Sequence, residues 1–462
     1  AEPCRAPQYL LRRRGPAGTG EERGRPAGNA VELAAAMGVE LLTFELSSAS
    51  GTTAPALDYT VPDTRDEEPT RMSVIDQLAT LPTPLLLVNE AKMMANIARL
   101  RERPVLSGVA IRPHLKTAKS VDIARRVLAS PSGPATVSTL REAEVFFAAG
   151  VTDILYAVGI SPHKLPRVAA LRGAGCDLTV ILDSAVQAGA VVEASRAQQV
   201  PLPALIEVDS DGHRGGLAPH DPALLEVGRI LDSVGLLRGV LTHAGESYAV
   251  AGAEAHAAWA ERERRAAVMA ASRLREAGLP CPIVSIGSTP TAHAIRDVRG
   301  VTEVRAGVHV FFDLVMAGIG VCRIEDIALS VVATVIGHQR ARGWVLVDAG
   351  WMALSRDRGT ATQAVDQGYG LVCDVAGQLL PDLIVISTTQ EHGIIARRPG
   401  STAPLPELSV GTRLRILPNH ACATAAQFDH YTVLPEGGGE PLMGWARCRG
   451  WCSVAGGGGS PR

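Results

Sequence analysis

The sequence predicts an α/β protein: a (β/α)8 barrel followed by a smaller, mostly β domain. Three observations carry that expectation. Short runs rich in Val, Ile and Leu alternate with longer helix-compatible stretches. Eight such runs occur between residues 109 and 304. After residue 325 the long helical stretches stop, and Gly and Pro punctuate short apolar runs instead. An open doubly wound sheet also alternates strands and helices, but eight units with no evident reversal of order favour closure.

The expected barrel strands are 109–114, 135–138, 153–158, 178–182, 204–208, 238–242, 282–286 and 301–304. The expected helices are 118–129, 140–149, 163–174, 185–196, 221–235, 254–277 and 291–298, with Thr139 and Glu142 spaced as a capping box. Later strands are expected at 326–337, 343–349, 383–388 and 411–417. The implied division is a leader over 1–72, disordered or non-native, a barrel domain over 73–325, a β domain over 326–452 and a flexible Gly-rich tail over 453–462. Residues 1–29 carry Arg, Gly, Pro and Ala without an apolar face, and 47–71 are rich in Ser, Thr, Asp, Glu and Pro. Residues 30–44 could form an isolated helix and the Arg-rich start a transit peptide; no function is assigned to the leader.

Composition narrows the classes. Of 462 residues, 46% are hydrophobic and 20% charged, enough for a large core. A net charge of -2 argues against nucleic acid as the main partner, and no apolar run is long enough to span a bilayer. Eight irregularly spaced cysteines do not form a disulfide framework, which points to a reducing, cytoplasmic setting.

Lysine usage is informative. Lys and Arg total 45, yet only Lys92, Lys116, Lys119 and Lys164 are lysines. Only lysine can form a Schiff base, so a chain that otherwise uses arginine directs attention to these four. Lys116 lies just past the first barrel strand, in Arg112-Pro113-His114-Leu115-Lys116-Thr117, where barrel enzymes carry their chemistry. Burial there beside His114, Arg112 or Lys119 would lower its pKa. Other polar residues end later strands: Glu207 to Arg214, His243 to Tyr248, and Gly287-Ser288-Thr289. The last turn suits a phosphate, with two hydroxyls and a following helix start as donors. A strand-end lysine paired with a phosphate turn points to pyridoxal phosphate. Farther on, His420 and Cys422 share one face of an extended segment and can grip one divalent ion; nitrogen plus sulfur favours zinc over manganese or magnesium. Cys448 and Cys452 read as core or unpaired thiols.

Together these residues resemble the D-threonine aldolase and D-serine dehydratase family of pyridoxal-phosphate enzymes, which use the alanine-racemase-type barrel (fold type III). The likeness covers about 74–452. It also rests on Asp348-Ala349-Gly350-Trp351, Glu391-His392-Gly393 and Pro418 to Cys422. It implies that Lys116 bonds the cofactor, that His114, Arg214, Tyr248, Gly287, Ser288 and Thr289 surround it, and that His420 and Cys422 bind a catalytic metal. Arg214 and Tyr156 are the candidates for the pyridine nitrogen. A homodimer with sites built from both chains is also implied. Three positions depart from the family pattern: Ala118, His309 and Met352 stand where His, Tyr and a basic residue are usual.

The expected activity is a lyase acting on D-3-hydroxy amino acids. Dehydration to a 2-oxo acid and ammonia is favoured by Cys422, and retro-aldol cleavage to glycine and an aldehyde is the alternative. A racemase would have no use for the metal pair. A non-catalytic pyridoxal-phosphate carrier would lack the β domain.

Overall fold

The computed structural model describes residues 73–436 and 442–451. The expectations for 1–72, for the tail and for Cys452 lie outside the described residues. Strand β1 (Leu85–Asn89) comes first. Eight parallel strands follow: β2 (Ala110–Pro113), β3 (Ala135–Val137), β4 (Asp153–Gly159), β5 (Asp177–Leu182), β6 (Ala204–Val208), β7 (Leu237–Thr242), β8 (Ile283–Ile286) and β9 (Glu303–Ala306). Their order is β2-β9-β8-β7-β6-β5-β4-β3. A parallel bridge between His114 and Thr136 brings β2 against β3, so the barrel closes at the residue two before Lys116.

The closed sheet explains the apolar runs. In β5, Leu178, Val180, Ile181 and Leu182 are all buried, because a parallel strand inside a ring of helices meets no water on either face. The helix Ala253–Glu276 packs a row of alanines, Ala260, Ala267, Ala270 and Ala271, toward the strands. Small side chains let it approach closely.

Three local expectations shift. The last barrel strand sits at 303–306, two residues later than its apolar run indicates. The helix expected at 291–298 is a short turn, Thr289–Ala294. At the second barrel helix, Thr139 Oγ1 accepts from Glu142 N at 3.1 Å, but the Glu142 carboxylate accepts from Ser138 N, one residue earlier than a capping box prescribes.

The second sheet has nine strands. Besides β1 it contains β10 (Leu329–Gln339), β11 (Trp344–Val347), β12 (Leu371–Asp374), β13 (Leu379–Thr388), β14 (Gly393–Arg397), β15 (Arg413–Leu417), β16 (His430–Leu434) and β17 (Met443–Ala446), in the order β11-β14-β13-β12-β15-β10-β1-β16-β17. Because β10 also pairs with β11, the strands from β11 to β10 curl back on themselves. β1 lies antiparallel to β10 and parallel to β16. A segment before the barrel is therefore built into the sheet that follows it. Single-sequence patterning identified β10, β11, β13 and β15 but not the other five strands. The Asp348 and Glu391 motifs prove to be neighbours, with Trp351 N donating to Thr389 O and Met352 N to Gln390 O.

Candidate active site

One cavity of about 500 Å³ opens at the C-terminal rim of the barrel, where the second sheet meets it. Nine of the residues singled out from the sequence line it: His114, Lys116, Arg214, Tyr248, Gly287, Ser288, Thr289, His420 and Cys422. They come from distant parts of the chain, so only the closed barrel and its neighbouring sheet bring them together.

Lys116 follows β2 and is exposed to the open cavity rather than buried as expected. His114 Nδ1 accepts from Lys116 N at 3.4 Å. Burial, with Lys116 and Arg305 adding positive charge, drives the His114 pKa well below the ordinary histidine value, so this imidazole is neutral. His243 is neutral for the same first reason, its pKa pushed down to about 3 by burial; Nδ1 donates to Gly287 O at 2.9 Å.

The turn after β8 is held from several sides. Gly287 has φ +138°, and a Cβ there would fall 2.0 Å from Arg305 O. Glycine is thus required by the crossing β9 backbone rather than by a ligand's approach. Ser288 caps Thr289–Ala294 in a reciprocal box with Thr291, and its hydroxyl also meets Ser247 Oγ at 2.8 Å. Behind the turn, Glu263 accepts from Gly287 N and Ala244 N, both at 2.9 Å, and from Thr291 Oγ1 at 2.8 Å. Sequence reasoning missed Glu263: it sits mid-helix, and its partners lie 19 to 28 residues away.

The donors fit a phosphate. Thr289 offers its backbone N–H and its hydroxyl at a helix start, and both reach the Tyr248 phenol. Burial pushes the Tyr248 pKa up, so the phenol stays protonated. Arg305, buried behind this wall, donates to Ser285 Oγ and Thr242 O. Arg214 lies at the mouth and pairs with Glu207 at 3.3 Å. Tyr156, the other candidate for a ring contact, is not in the cavity: it is fully buried, and its hydroxyl accepts from Lys164 Nζ at 2.9 Å.

On the opposite wall, His420 Nδ1 bonds Asp357 Oδ2 at 2.7 Å, and Thr117 Oγ1 lies 3.2 Å from Cys422 Sγ. Burial disfavours the imidazolium, but bonds to Asp357 and Cys422 outweigh it and raise the His420 pKa to about 11. Burial likewise opposes the thiolate, yet His420 and Thr117 bring the Cys422 pKa below its usual value. Both shifts favour the charged forms of the pair, imidazolium on His420 and thiolate on Cys422. Asp357 on Nδ1 leaves Nε2 as the coordinating nitrogen, a common outer arrangement for metal-bound histidine. The donor chemistry fits zinc with two protein ligands. Among the described residues, no group of three or more His, Cys, Asp or Glu is arranged to hold a metal by itself. Asp357 and Thr117 escaped the sequence reading because nothing local marks residues that act across 63 and 305 positions.

Comparison with known proteins agrees with this geometry. Residues 88–315 match the family model "Alanine racemase, N-terminal domain", and residues 328–434 match "Putative serine dehydratase domain". The chain is 54% identical over 380 residues to a D-threo-3-hydroxyaspartate dehydratase of Delftia sp., covering 81% of this chain and 100% of that one. It is 30% identical to a D-serine dehydratase of Dictyostelium discoideum, covering 78% and 95%. Among solved structures, a metal-free cysteine-to-alanine variant of a D-threo-3-hydroxyaspartate dehydratase matches with TM-score 0.78 and 54% identity, over 81% of this chain and 99% of that one. The chain belongs to the D-serine dehydratase and D-threonine aldolase family of pyridoxal-phosphate-dependent lyases, with the alanine-racemase-type fold.

Proposed function

We propose that this chain is a zinc- and pyridoxal-phosphate-dependent dehydratase of D-3-hydroxy amino acids, with D-threo-3-hydroxyaspartate the first substrate to test. One observation carries the reading: a strand-end lysine, a helix-start phosphate turn and a paired His and Cys line a single cavity. The 54% identity to a D-threo-3-hydroxyaspartate dehydratase supports the substrate choice.

When bound, pyridoxal phosphate supplies an electron sink for the substrate's α-carbon, and zinc supplies a Lewis acid for its β-hydroxyl. The chain's residues do the remaining work. Thr289 and Tyr248 bind the phosphate, on a turn that Ser288 and Glu263 keep in shape. Lys116 Nζ would hold the cofactor at rest and, as a free amine, would be the group placed to take the substrate's α-proton. Neutral His114 and His243 add no competing positive charge beside that amine. Arg214 serves the pyridine side of the site. His420 Nε2 and Cys422 Sγ hold the metal, and Asp357 fixes the tautomer. Loss of the β-hydroxyl as water gives an enamine that hydrolyses in solution to the 2-oxo acid and ammonia.

In this reading residues 73–325 serve the cofactor and 326–452 serve the metal. The protein works as a homodimer in the cytoplasm. Six described cysteines are free, as suits a reducing compartment. No helix among the described residues is long and apolar enough to cross a membrane.

The test is incubation of zinc-loaded holoenzyme with D-threo-3-hydroxyaspartate, D-serine and D-threonine. Oxaloacetate, pyruvate or 2-oxobutyrate with ammonia is expected. Glycine with glyoxylate, formaldehyde or acetaldehyde would establish aldol cleavage instead.

A further inference from the structure

A second cavity, of about 390 Å³, shares no lining residue with the first. It lies between the second sheet and the start of the helix Glu90–Arg101, and Lys92, Ser330, Cys373, Gln378 and Arg415 are among its walls. Lys92 is one of the four lysines, and the active site makes no use of it.

Arg415 projects from β15 and is 8% exposed, yet its side chain makes no hydrogen bond or ion pair among the described residues, and its Nε is buried without an acceptor. A buried guanidinium without a carboxylate is rare, because its lost hydration is not repaid. Lys92 also has no ion pair within 4 Å. Two cations thus share one chamber, and burial together with Arg415 lowers the Lys92 pKa.

The remaining walls give them no directly bonded partner among the described residues. Cys373 lies opposite Arg415 in the β12–β15 ladder, and burial raises its pKa to about 11, so it is a neutral thiol. Glu325 and Asp326 favour the charged form of Lys92, and Asp374 that of Arg415, through space only: none forms an ion pair with either cation among the described residues, and the Asp374 carboxylate accepts from Gln378 N at 2.9 Å. Gly377, at φ +92°, keeps the chamber open; a Cβ there would come 3.2 Å from Arg415 Nη1. Asn89 caps the twelve-residue helix by accepting from Lys92 N at 3.0 Å, so the positive end of its dipole also faces this region.

We propose that this chamber binds a small oxyanion, a dicarboxylate or a phosphate-type group, held between the Arg415 guanidinium and the Lys92 ammonium with Ser330 as a neutral donor. The guanidinium matches two oxygens side by side, and the ammonium supplies a point charge opposite. The volume accommodates a ligand larger than a single inorganic ion.

The test uses the full-length, zinc- and cofactor-loaded protein. Malonate and sulfate are titrated separately against sodium chloride at matched ionic strength, and the melting temperature is followed. A ligand that binds only the folded state raises it with saturation. The wild type is expected to respond saturably to at least one anion, and the lower half-saturating concentration identifies dicarboxylate or tetrahedral chemistry. Arg415→Met should lose the response while melting no lower than wild type in chloride, since it removes an unpaired buried charge. Lys92→Met, on a partly exposed first turn, should weaken the apparent affinity about tenfold, and it carries the test if the Arg415 variant fails to fold. A saturable rise that persists in both variants would mean binding elsewhere, including the barrel mouth. A rise that is linear, or equal to that in chloride, would mean no site. Either result overturns the proposal.

Discussion

The two walls of the active-site cavity are built on opposite physical plans. The turn after β8 is buried and over-determined: Ser288, Thr291, Ser247 and Glu263 bond one another or the backbone, and His293 in the same short helix donates back to Thr289 O. The His420–Cys422 wall is more open: its two functional side chains bond Asp357 and Thr117, while the Asp313 carboxylate accepts from Ala421 N behind them. A satisfied buried network keeps its shape without ligand. The contrast teaches that the turn takes its shape from buried side chains packed behind it, whereas His420 and Cys422 present their donor atoms to the cavity.

The largest expected effect lies between the walls. Lys116→Ala should lower turnover by about 10³–10⁴-fold, the range for removing a general base, with loss of the borohydride-fixed label from the peptide containing residue 116. A label found on Lys92, Lys119 or Lys164 would break the picture at its centre.

Next comes the metal wall. His420→Ala, Cys422→Ala or chelation should cost about 10²–10³-fold in dehydration, the several kcal/mol attributed to a Lewis acid, while the visible band of bound cofactor is unchanged. If that band is lost as well, the two walls are not independent. Asp357→Asn sharpens the same point: zinc affinity, measured by competition with a chelator, should fall about 10–100-fold with cofactor affinity unaltered.

The reverse experiment is Glu263→Ala. It removes the acceptor of three bonds behind the turn, leaving buried donors unpaired at about 1–3 kcal/mol each. Cofactor affinity and melting temperature should both fall, with zinc affinity retained.

The smallest effect is one of pH. Burial lowers His293 to about 4, with Arg99 and Arg103 adding to the shift, and lowers His309 to about 3, with His293 beside it. Both folded values lie below the unfolded value near 6.5. The unfolded chain therefore binds more protons in this window, and stability is full above pH 6.5 and declines from there toward pH 4. His309→Phe should reduce the slope of melting temperature against pH across that window. An unchanged slope would assign the acid sensitivity to other groups.

How much of this was readable in one dimension differs by element. The barrel was, because each parallel strand is buried on both faces and so leaves an apolar run. Five strands of the second sheet were not: β1 gains its partners β10 and β16 from the far end of the chain, and β12 and β17 are four-residue segments whose pairing depends on distant neighbours. Lys116 stood out by its rarity and its place after a strand, and His420 with Cys422 by donor chemistry and spacing. Glu263, Asp357 and Thr117 carried no such mark, since an isolated carboxylate or hydroxyl in sequence looks the same whether it faces water or anchors a site. Tyr156 shows the converse: its position near a strand end allowed a cofactor contact, and packing against Lys164 removed it.

The sequence by itself determined the alternation of strands and helices, the family and the side chains able to do the chemistry, because periodicity and functional groups are local properties. The tertiary structure alone decided which of those groups share a cavity, which protons they keep, and that two further cations, Lys92 and Arg415, line a second cavity with no carboxylate bonded to either among the described residues. Those outcomes depend on burial and on distances between residues far apart along the chain, and neither exists until the chain has folded.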